Sequence, residues 1–251
     1  MAYPQVETTN TSAETSSGTS HTVNFPASIA AGNTLLCFFG TDGDNVCTFP
    51  AGWTKIVDED RFSISHLSVA WKKATGSESG TFTVTTSSSE QSAHVTYRIS
   101  GATDPSTTPP QATVANGSST TADPPNLEPT GGSKEYLWFV CETHGTGDDP
   151  GTVPSGYGNA LNADGAGVNT GTGRKEATAS SENPGTFGIT DTISWIACTV
   201  AVHPTAAGTN AQINIGDAFK TIDAAKVNIA DSWKAVAAMW VNDGDSWKSI
   251  F

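Results

Sequence analysis

Apolar and polar residues alternate along several segments of the chain. The longest alternating segment runs from Phe62 to Trp71, and shorter ones cover 21–25, 82–84 and 94–99. A period of two places the apolar side chains of a strand on one face. Turn residues separate these segments roughly every 8–12 positions, the spacing typical of sandwiches. The pattern therefore predicts an all-β fold without any helix longer than about two turns.

The chain also repeats itself on a long scale, because 26–100 resembles 129–203 in order and character. The matching segments keep their spacing throughout and include Leu35–Phe39 with Leu137–Cys141, Trp71–Ala74 with Arg174–Ala177, and Gly80–Phe82 with Gly185–Phe187. We therefore expect a domain over 1–205 built of two similar halves, about 20–100 and 129–203. One jelly-roll-like sandwich is favoured over two tandem sandwiches, since shared sheets would pair the edge strands.

A shorter repeat occupies the end of the sequence. The segments 213–217, 227–231 and 241–245 resemble one another, and each is followed by an aromatic residue and a lysine. A β-branched segment, a turn with Asp and a second short segment are typical of a β-hairpin. We predict three β-hairpin repeats over 206–251 that stack on one another, because a single hairpin of this size is unstable alone.

Charge excludes several partners. The 251 residues contain 12 Lys and Arg against 25 Asp and Glu, which gives a net charge of −13. Nucleic acids and anionic membranes need clustered basic residues, and the sequence has no such cluster. It also lacks the run of about 18 apolar residues that a membrane span requires, and residues 1–7 lack the features of a secretion signal. We expect a protein without membrane insertion that is synthesised in a cytoplasm.

The residue types that bind metals are scattered. Three of the four cysteines, Cys37, Cys141 and Cys198, lie in apolar runs, which predicts buried free thiols, and no Cys or His spacing fits zinc. The five histidines are interpreted as partly exposed sheet residues. Loop 42–45 is rich in oxygen ligands, but the twelfth position counted from Asp42 is Trp53 where a calcium loop has Glu. No metal or cofactor is expected.

No catalytic motif emerges from the sequence. Segment 76–80 resembles a nucleophile elbow only superficially, because its central residue is Glu78, and we predict a turn there. Two acidic residues could lie close together in the fold as the catalytic carboxylates of a glycosidase, but their spacing in the sequence does not identify which two. The sequence therefore predicts a protein that is not an enzyme.

The aromatic residues of the short repeats are the candidate ligand-binding residues. Exposed rings next to carboxylates suit the stacking and hydrogen bonding of sugar rings. Alternatively, the rings form the core of a segment that has little else to bury, and we favour this interpretation. The candidate site consists of Phe219, Trp233, Trp247, Asp231 and Asp245.

The repeats of the form V-N-I-G-D-x-W-K-x-V are similar to segments that end many tail and minor structural proteins of tailed bacteriophages. The stretch from Trp71 through ATGSESGTFTVT to YRISGATDP resembles β-sandwich virion proteins of the same viruses. The resemblance implies a structural virion protein made in the host cytoplasm, most simply a tail-tip or tail-fibre component. Its expected partners are other virion proteins and copies of itself, and a host-surface glycan is a further candidate. The alternatives are a capsid decoration or head-fibre protein and a free carbohydrate-binding module.

Overall fold

A computed structural model of the protein describes residues 2–43, 45–62, 64–145 and 151–205, together with the backbone of six short strands between 211 and 249. The chain divides into two compact units, Met1–Thr205 and Ala206–Phe251. Every regular element in the described part is a β-strand, so the predicted all-β class is confirmed. No helix suited to crossing a membrane occurs in these residues.

The first half of the larger unit forms one antiparallel sheet. Its strands are β1 Gln5–Asn24, β2 Thr34–Asp42, β3 Cys47–Thr48, β4 Trp53–Arg61, β5 Ser65–Lys73 and β6 Thr81–Ser100. They lie in the order β1-β6-β2-β5-β4, with β3 beside β6. Gly43, directly after β2, has a φ of +81°. Glycine adopts this left-handed conformation without the strain that a side chain would cause.

The second half forms a second antiparallel sheet with the same topology. Its strands are β7 Gln111–Ala122, β8 Lys134–Gly145, β9 Gly158–Asp164, β10 Val168–Ala179 and β11 Phe187–Val202. Their order, β7-β11-β8-β10-β9, repeats the order of the first sheet strand for strand. Two antiparallel sheets agree with the predicted sandwich, and each half contributes one whole sheet.

The registers of the two sheets also correspond. Thr34 lies opposite Ile99 in the first sheet, and Leu137 lies opposite Val202 in the second. Each member of the second pair follows its counterpart by 103 positions. The register therefore assigns equivalent positions in the two halves, 103 residues apart.

An inter-sheet core of apolar side chains from both halves joins the two sheets. Phe38 and Phe139 approach with ring centroids 6.0 Å apart, and Tyr97 packs on Phe139 at 4.7 Å. The Tyr97 hydroxyl also lies 2.6 Å from the Thr172 hydroxyl of the other sheet. The core thus contains one buried polar link within a tightly packed aromatic cluster.

Strands β1 and β6 form a ribbon that folds back over the outer face of their own sheet. Register shifts interrupt the pairing between Glu14 and Ser20. Beyond them the Asn24 amide donates to the Ser12 hydroxyl at 3.1 Å, and the Thr96 hydroxyl donates to the Asn24 carbonyl at 2.8 Å. The bulges bend the strand, so its second part lies beside its first.

The folded ribbon encloses an outer core. Val23 and Phe82 of the ribbon pack with Leu35 and Phe39 of β2, and all four side chains are buried. A matching outer core lies on the second sheet, where Tyr136 and Trp138 pack with others. Strands β2 and β8 are therefore buried on both faces, which explains why their sequences are continuous apolar runs rather than alternating ones.

The predicted burial is confirmed for the cysteines but not for the histidines. All four cysteines are free and buried, as predicted for the thiols. The interpretation of the histidines as partly exposed is wrong, because all five imidazoles are buried: His21, His66, His94, His144 and His203. The folded ribbon and the sheet packing cover faces that alternation alone leaves open to solvent.

The C-terminal unit contains three antiparallel strand pairs. They are β12 Ala211–Ile215 with β13 Ala218–Ile222, β14 Lys226–Ile229 with β15 Ser232–Ala235, and β16 Trp240–Asn242 with β17 Trp247–Ser249. Each pair coincides with one copy of the short sequence repeat.

Candidate functional site

The predicted aromatic residues of the repeats occupy the same place in each hairpin. Phe219 lies opposite Asn214, Trp233 opposite Asn228 and Trp247 opposite Asn242, each in the second strand of its pair. This is a repeated cross-strand pair of an amide and an aromatic residue. Asp231 and Asp245 lie outside the described residues. A sugar platform formed by these five residues therefore stays a prediction.

The larger unit brings together polar residues that the sequence did not single out as a group. On the outer face of the first sheet, the two imidazole nitrogens of His66 contact three groups. Nδ1 hydrogen-bonds to Asp60, and Nε2 lies 2.9 Å from the Ser68 hydroxyl and 3.1 Å from Asp58. Positions 66 and 68 share one face of β5, and Asp60 and Asp58 lie opposite them on β4.

The His66 cluster has the connectivity of a Ser-His-Asp triad, but its serine is inaccessible. Ser68 is fully buried, and its hydroxyl donates to Asp58 at 2.7 Å. A nucleophile needs space beside it for a substrate. We interpret the cluster as a network that ties β4 to β5.

Asp58 is the carboxylate of this network that binds both Ser68 and Lys55. Burial opposes its ionisation, but hydrogen bonds from Lys55 at 2.5 Å and from Ser68 outweigh burial and lower the pKa of Asp58. Because the carboxylate remains ionised at neutral pH, it can accept hydrogen bonds from several donors at once.

A second polar cluster lies beneath the fold of the ribbon. The Nε2 of His21 lies 2.9 Å from the Thr86 hydroxyl, and its Nδ1 lies 2.8 Å from Ser92 and 3.3 Å from Glu14. Because the imidazole is bonded to groups on both strands of the ribbon, it stabilises the bend between them.

His94 lies close to His21 but has fewer partners. Its ring stacks on Phe39 at 4.8 Å, and its Nδ1 lies 3.0 Å from the Ser12 hydroxyl. Nε2 has no hydrogen-bond partner among the described residues. Burial and then the nearby His21 lower the pKa of His94 to about 3. Both effects favour the neutral ring.

The second half carries a different buried pair. Glu142 and His144 on β8 are both inaccessible to solvent, and Oε2 of Glu142 lies 2.8 Å from Nδ1 of His144. Burial raises the pKa of Glu142, although the imidazole works against this. At the positions equivalent to these two, the first half has Phe39 and Thr41. The pair therefore belongs to one half only.

One end of the sandwich exposes apolar side chains, and we call this group the exposed tip. It consists of Val46, Phe62 and Ile64, whose side chains are 63%, 75% and 43% exposed. The Gly43 amide donates to the Ile64 carbonyl at 3.1 Å, so the two loops that carry these residues touch. Phe62 has a φ of +46°, a strained conformation for a bulky residue.

The remaining motifs have structural roles in the described residues. Glu78 accepts hydrogen bonds from the Thr75 and Gly76 amides at 3.0 Å each, so segment 76–80 is a turn held by its own carboxylate. Asp44 of the acidic loop lies outside the described residues. Elsewhere, in the part of the chain that the structure covers, no group of three or more His, Cys, Asp or Glu side chains is placed to hold a metal ion.

The fold and these clusters define a duplicated two-sheet β-sandwich protein with an appended unit of short hairpins. Comparisons with protein-family models, with curated proteins and with solved structures find no match for this chain. The function of the protein is therefore inferred from its sequence repeats and its geometry.

Sequence reasoning missed the histidine clusters and the exposed tip. A signal for the His66 cluster existed, because Asp58, Asp60, His66 and Ser68 lie at alternate positions of two adjacent strands. The His21 cluster had no such signal, since its members meet only through the fold of the ribbon.

Proposed function

We propose that the protein is a non-enzymatic structural component of a tailed-phage virion, located at the tail tip or in a tail fibre. The observation that carries the proposal is the arrangement of three hairpins, one for each sequence repeat, after a β-sandwich unit. The repeats resemble the ends of phage tail proteins. Repeated small units bury their apolar faces only against neighbours, which suits a protein that assembles with others.

The exposed tip supports a role in assembly. Scattered exposed apolar residues are common, but grouped ones on adjoining loops are typical of protein interfaces. We assign the exposed tip to contact with a neighbouring virion protein. Its strained Phe62 fits this role, because strain is retained where it holds a side chain in position for contact.

The location is tested by electron microscopy of phage particles that carry an affinity-tagged copy. We expect gold label at the tail end of negatively stained particles. Label on the head would instead support a capsid decoration or head-fibre protein. Absence of the protein from purified particles contradicts both viral interpretations, and binding to a glycan array would then favour a free carbohydrate-binding module.

The role of the exposed tip is tested with a variant that carries Phe62→Ser and Ile64→Ser. Phe62 is largely exposed and Ile64 is partly exposed, so the variant should fold normally and yet be incorporated into particles much less than the unchanged protein. The matched control is Glu128→Ser, at an exposed position in another loop. Equal incorporation of all three proteins would show that the exposed tip has no part in assembly.

A further inference from the structure

A cavity of about 200 Å³ lies at one edge of the inter-sheet core in the larger unit. Its wall includes Gln5 and Val6 from the start of β1, Leu137 from β8, Asn159 from β9 and Arg174 from β10. The volume is comparable to that of one monosaccharide. The wall combines the apolar side chains of Val6 and Leu137 with amide, guanidinium, ammonium and carboxylate groups, and such polar groups are what orient a ligand in a small-molecule site.

Arg174 is the unusual residue of this cavity. One of its terminal nitrogens, Nη1, is buried and has no hydrogen-bond partner among the described residues. No carboxylate of the described residues forms an ion pair with the Arg174 guanidinium either. A buried cationic donor without a partner is costly, so native structures rarely keep one without a ligand, an ion or water to satisfy it.

The duplication supplies an internal comparison. Arg174 lies opposite Phe139 on β8, and the equivalent pair in the first half is Trp71 opposite Leu36 on β2. Trp71 packs against the inter-sheet core. The second half therefore has a charged guanidinium where the first half has a neutral indole, whose Nε1 is also buried without a hydrogen-bond partner among the described residues.

The backbone around Arg174 is also irregular. The pairing of β9 with β10 shifts register between Thr172 and Arg174, and Asn159 nearby has a φ of +52°. Bulges of this kind re-aim side chains and are common beside binding sites. Asn159, at the start of the edge strand β9, thus adds an amide to the wall of the cavity.

The other charged residues of the wall already have partners. Glu176 accepts a hydrogen bond from the Gln5 side chain at 2.9 Å. Lys175 pairs with Glu182 at 2.6 Å and lies 4.7 Å from the centre of the Tyr157 ring. Arg174 is therefore the cation of the cavity wall that forms no ion pair within the described residues, and the Glu176 carboxylate lies in the same wall.

We propose that this cavity binds the carboxylate of an acidic sugar residue, with the Arg174 guanidinium as its partner. A guanidinium presents parallel donors that match the two oxygens of a carboxylate. Asn159 and Gln5 line the same wall, and the Asn159 amide and the Gln5 side-chain oxygen can hydrogen-bond hydroxyl groups of the sugar ring, whereas the Gln5 nitrogen already donates to Glu176. The inference depends on the larger unit alone and does not require the proposed virion function.

The test is isothermal titration of the full-length protein with glucuronate, glucose, acetate and inorganic phosphate. We expect glucuronate to bind at least about tenfold more tightly than glucose, which lacks the carboxylate, and than acetate, which lacks the ring. Equal binding of glucose, or tighter binding of phosphate, would overturn the proposal. Failure of glucuronate to bind would also overturn it.

Variants assign the binding to Arg174. Arg174→Gln should weaken glucuronate binding at least about tenfold, and Arg174→Lys should weaken it less because it keeps the charge but not the paired donors. Lys73→Gln is the matched control, since this exposed cation pairs with Asp104 and does not line the cavity, and it should bind as the unchanged protein does. Equal affinities in all four proteins would overturn the assignment. If Arg174→Gln does not fold, the lysine variant decides.

Discussion

The buried histidines and their polar partners occupy positions whose equivalents in the other half of the larger unit carry different residues. His94 faces Phe39 in the first sheet, and the equivalent pair in the second sheet is Ala197 with Glu142. His66 has Asn169 as its equivalent. Each cluster therefore stabilises its own half, and a duplicated backbone carries two unrelated sets of buried polar side chains.

The burial of His94 predicts a loss of stability in acid. Its pKa is about 3 in the folded protein and about 6.5 in the unfolded chain. Because the folded-state pKa is depressed, the stabilisation is present above pH 6.5 and is lost as the pH falls towards 3. The free energy of unfolding should fall by up to roughly 1.4 kcal/mol per pH unit in this window, measured by urea titration at several pH values.

The control for this prediction is His94→Gln, which removes the titrating group. His21 titrates in the same direction, because burial lowers its pKa although Glu14 opposes this, so part of the pH dependence should remain. Asp42 and Glu14 are the carboxylates that act on this cluster. A variant with the full acid sensitivity of the unchanged protein would contradict the role of His94.

The cysteines predict a different behaviour at the residue scale. Burial raises the pKa of Cys37 far above its usual range and that of Cys47 to about 12, so the reactive thiolate is scarce at neutral pH. A thiol reagent such as dithionitrobenzoate should therefore report almost no reaction with the native protein and four thiols after unfolding in urea. Rapid labelling of native protein would contradict the burial described here.

At the scale of elements, the close approach of the two sheets leaves no space at Gly40. A Cβ there would lie 2.3 Å from the Thr170 hydroxyl and 2.5 Å from the Thr143 hydroxyl, both on the opposite sheet. We expect Gly40→Ala to destabilise the protein by about 1–3 kcal/mol in urea unfolding, as overpacking does. Gly158→Ala is the matched control, since a Cβ there meets nothing within 4 Å. Equal stabilities of the two variants would contradict this packing.

The hairpin elements give a prediction for Trp233, which lies in β15 opposite Asn228. If the aromatic rings pack between neighbouring hairpins, Trp233→Ala should lower the free energy of unfolding of residues 206–251 by on the order of 3–5 kcal/mol. These residues should then become sensitive to protease while the larger unit stays resistant. Limited proteolysis followed by mass spectrometry measures this. If the rings instead bind sugar, the variant should resist protease and lose glycan binding.

At the scale of the whole larger unit, buried hydrogen bonds join the two sheets, among them the bond between Tyr97 and Thr172 and the one from the Thr170 hydroxyl to the Ala93 carbonyl. Tyr97→Phe removes the hydroxyl that lies 2.6 Å from Thr172 and should destabilise the protein by about 1–2 kcal/mol in urea unfolding. A double-mutant cycle with Thr172→Val isolates the bond, because removing both partners should cost less than the two single changes added together. Strict additivity would show that the two hydroxyls do not interact.

The sequence by itself determined the all-β class, the burial of the thiols, the position of the short repeats and the similarity of the two halves. These properties depend on local period and on order along the chain, as in the alternation over Phe62–Trp71, so they can be read without knowing which strands pair. The runs Leu35–Phe39 and Leu137–Cys141 lie on equivalent strands, because similar local patterns favour similar local structure. The register aligns Thr34 rather than Leu35 with Leu137, so the residue-by-residue match of these runs read from the sequence is wrong by one position.

Only the tertiary structure decided which polar residues meet. The bulges in β1 fold the ribbon back and bury His21 and His94, and no local pattern in the sequence encodes that bend. The cavity at Arg174 likewise depends on a register shift and on contact between distant strands. Long-range pairing sets these contacts, and the side-chain pattern of one strand contains no information about the strand that will cover it.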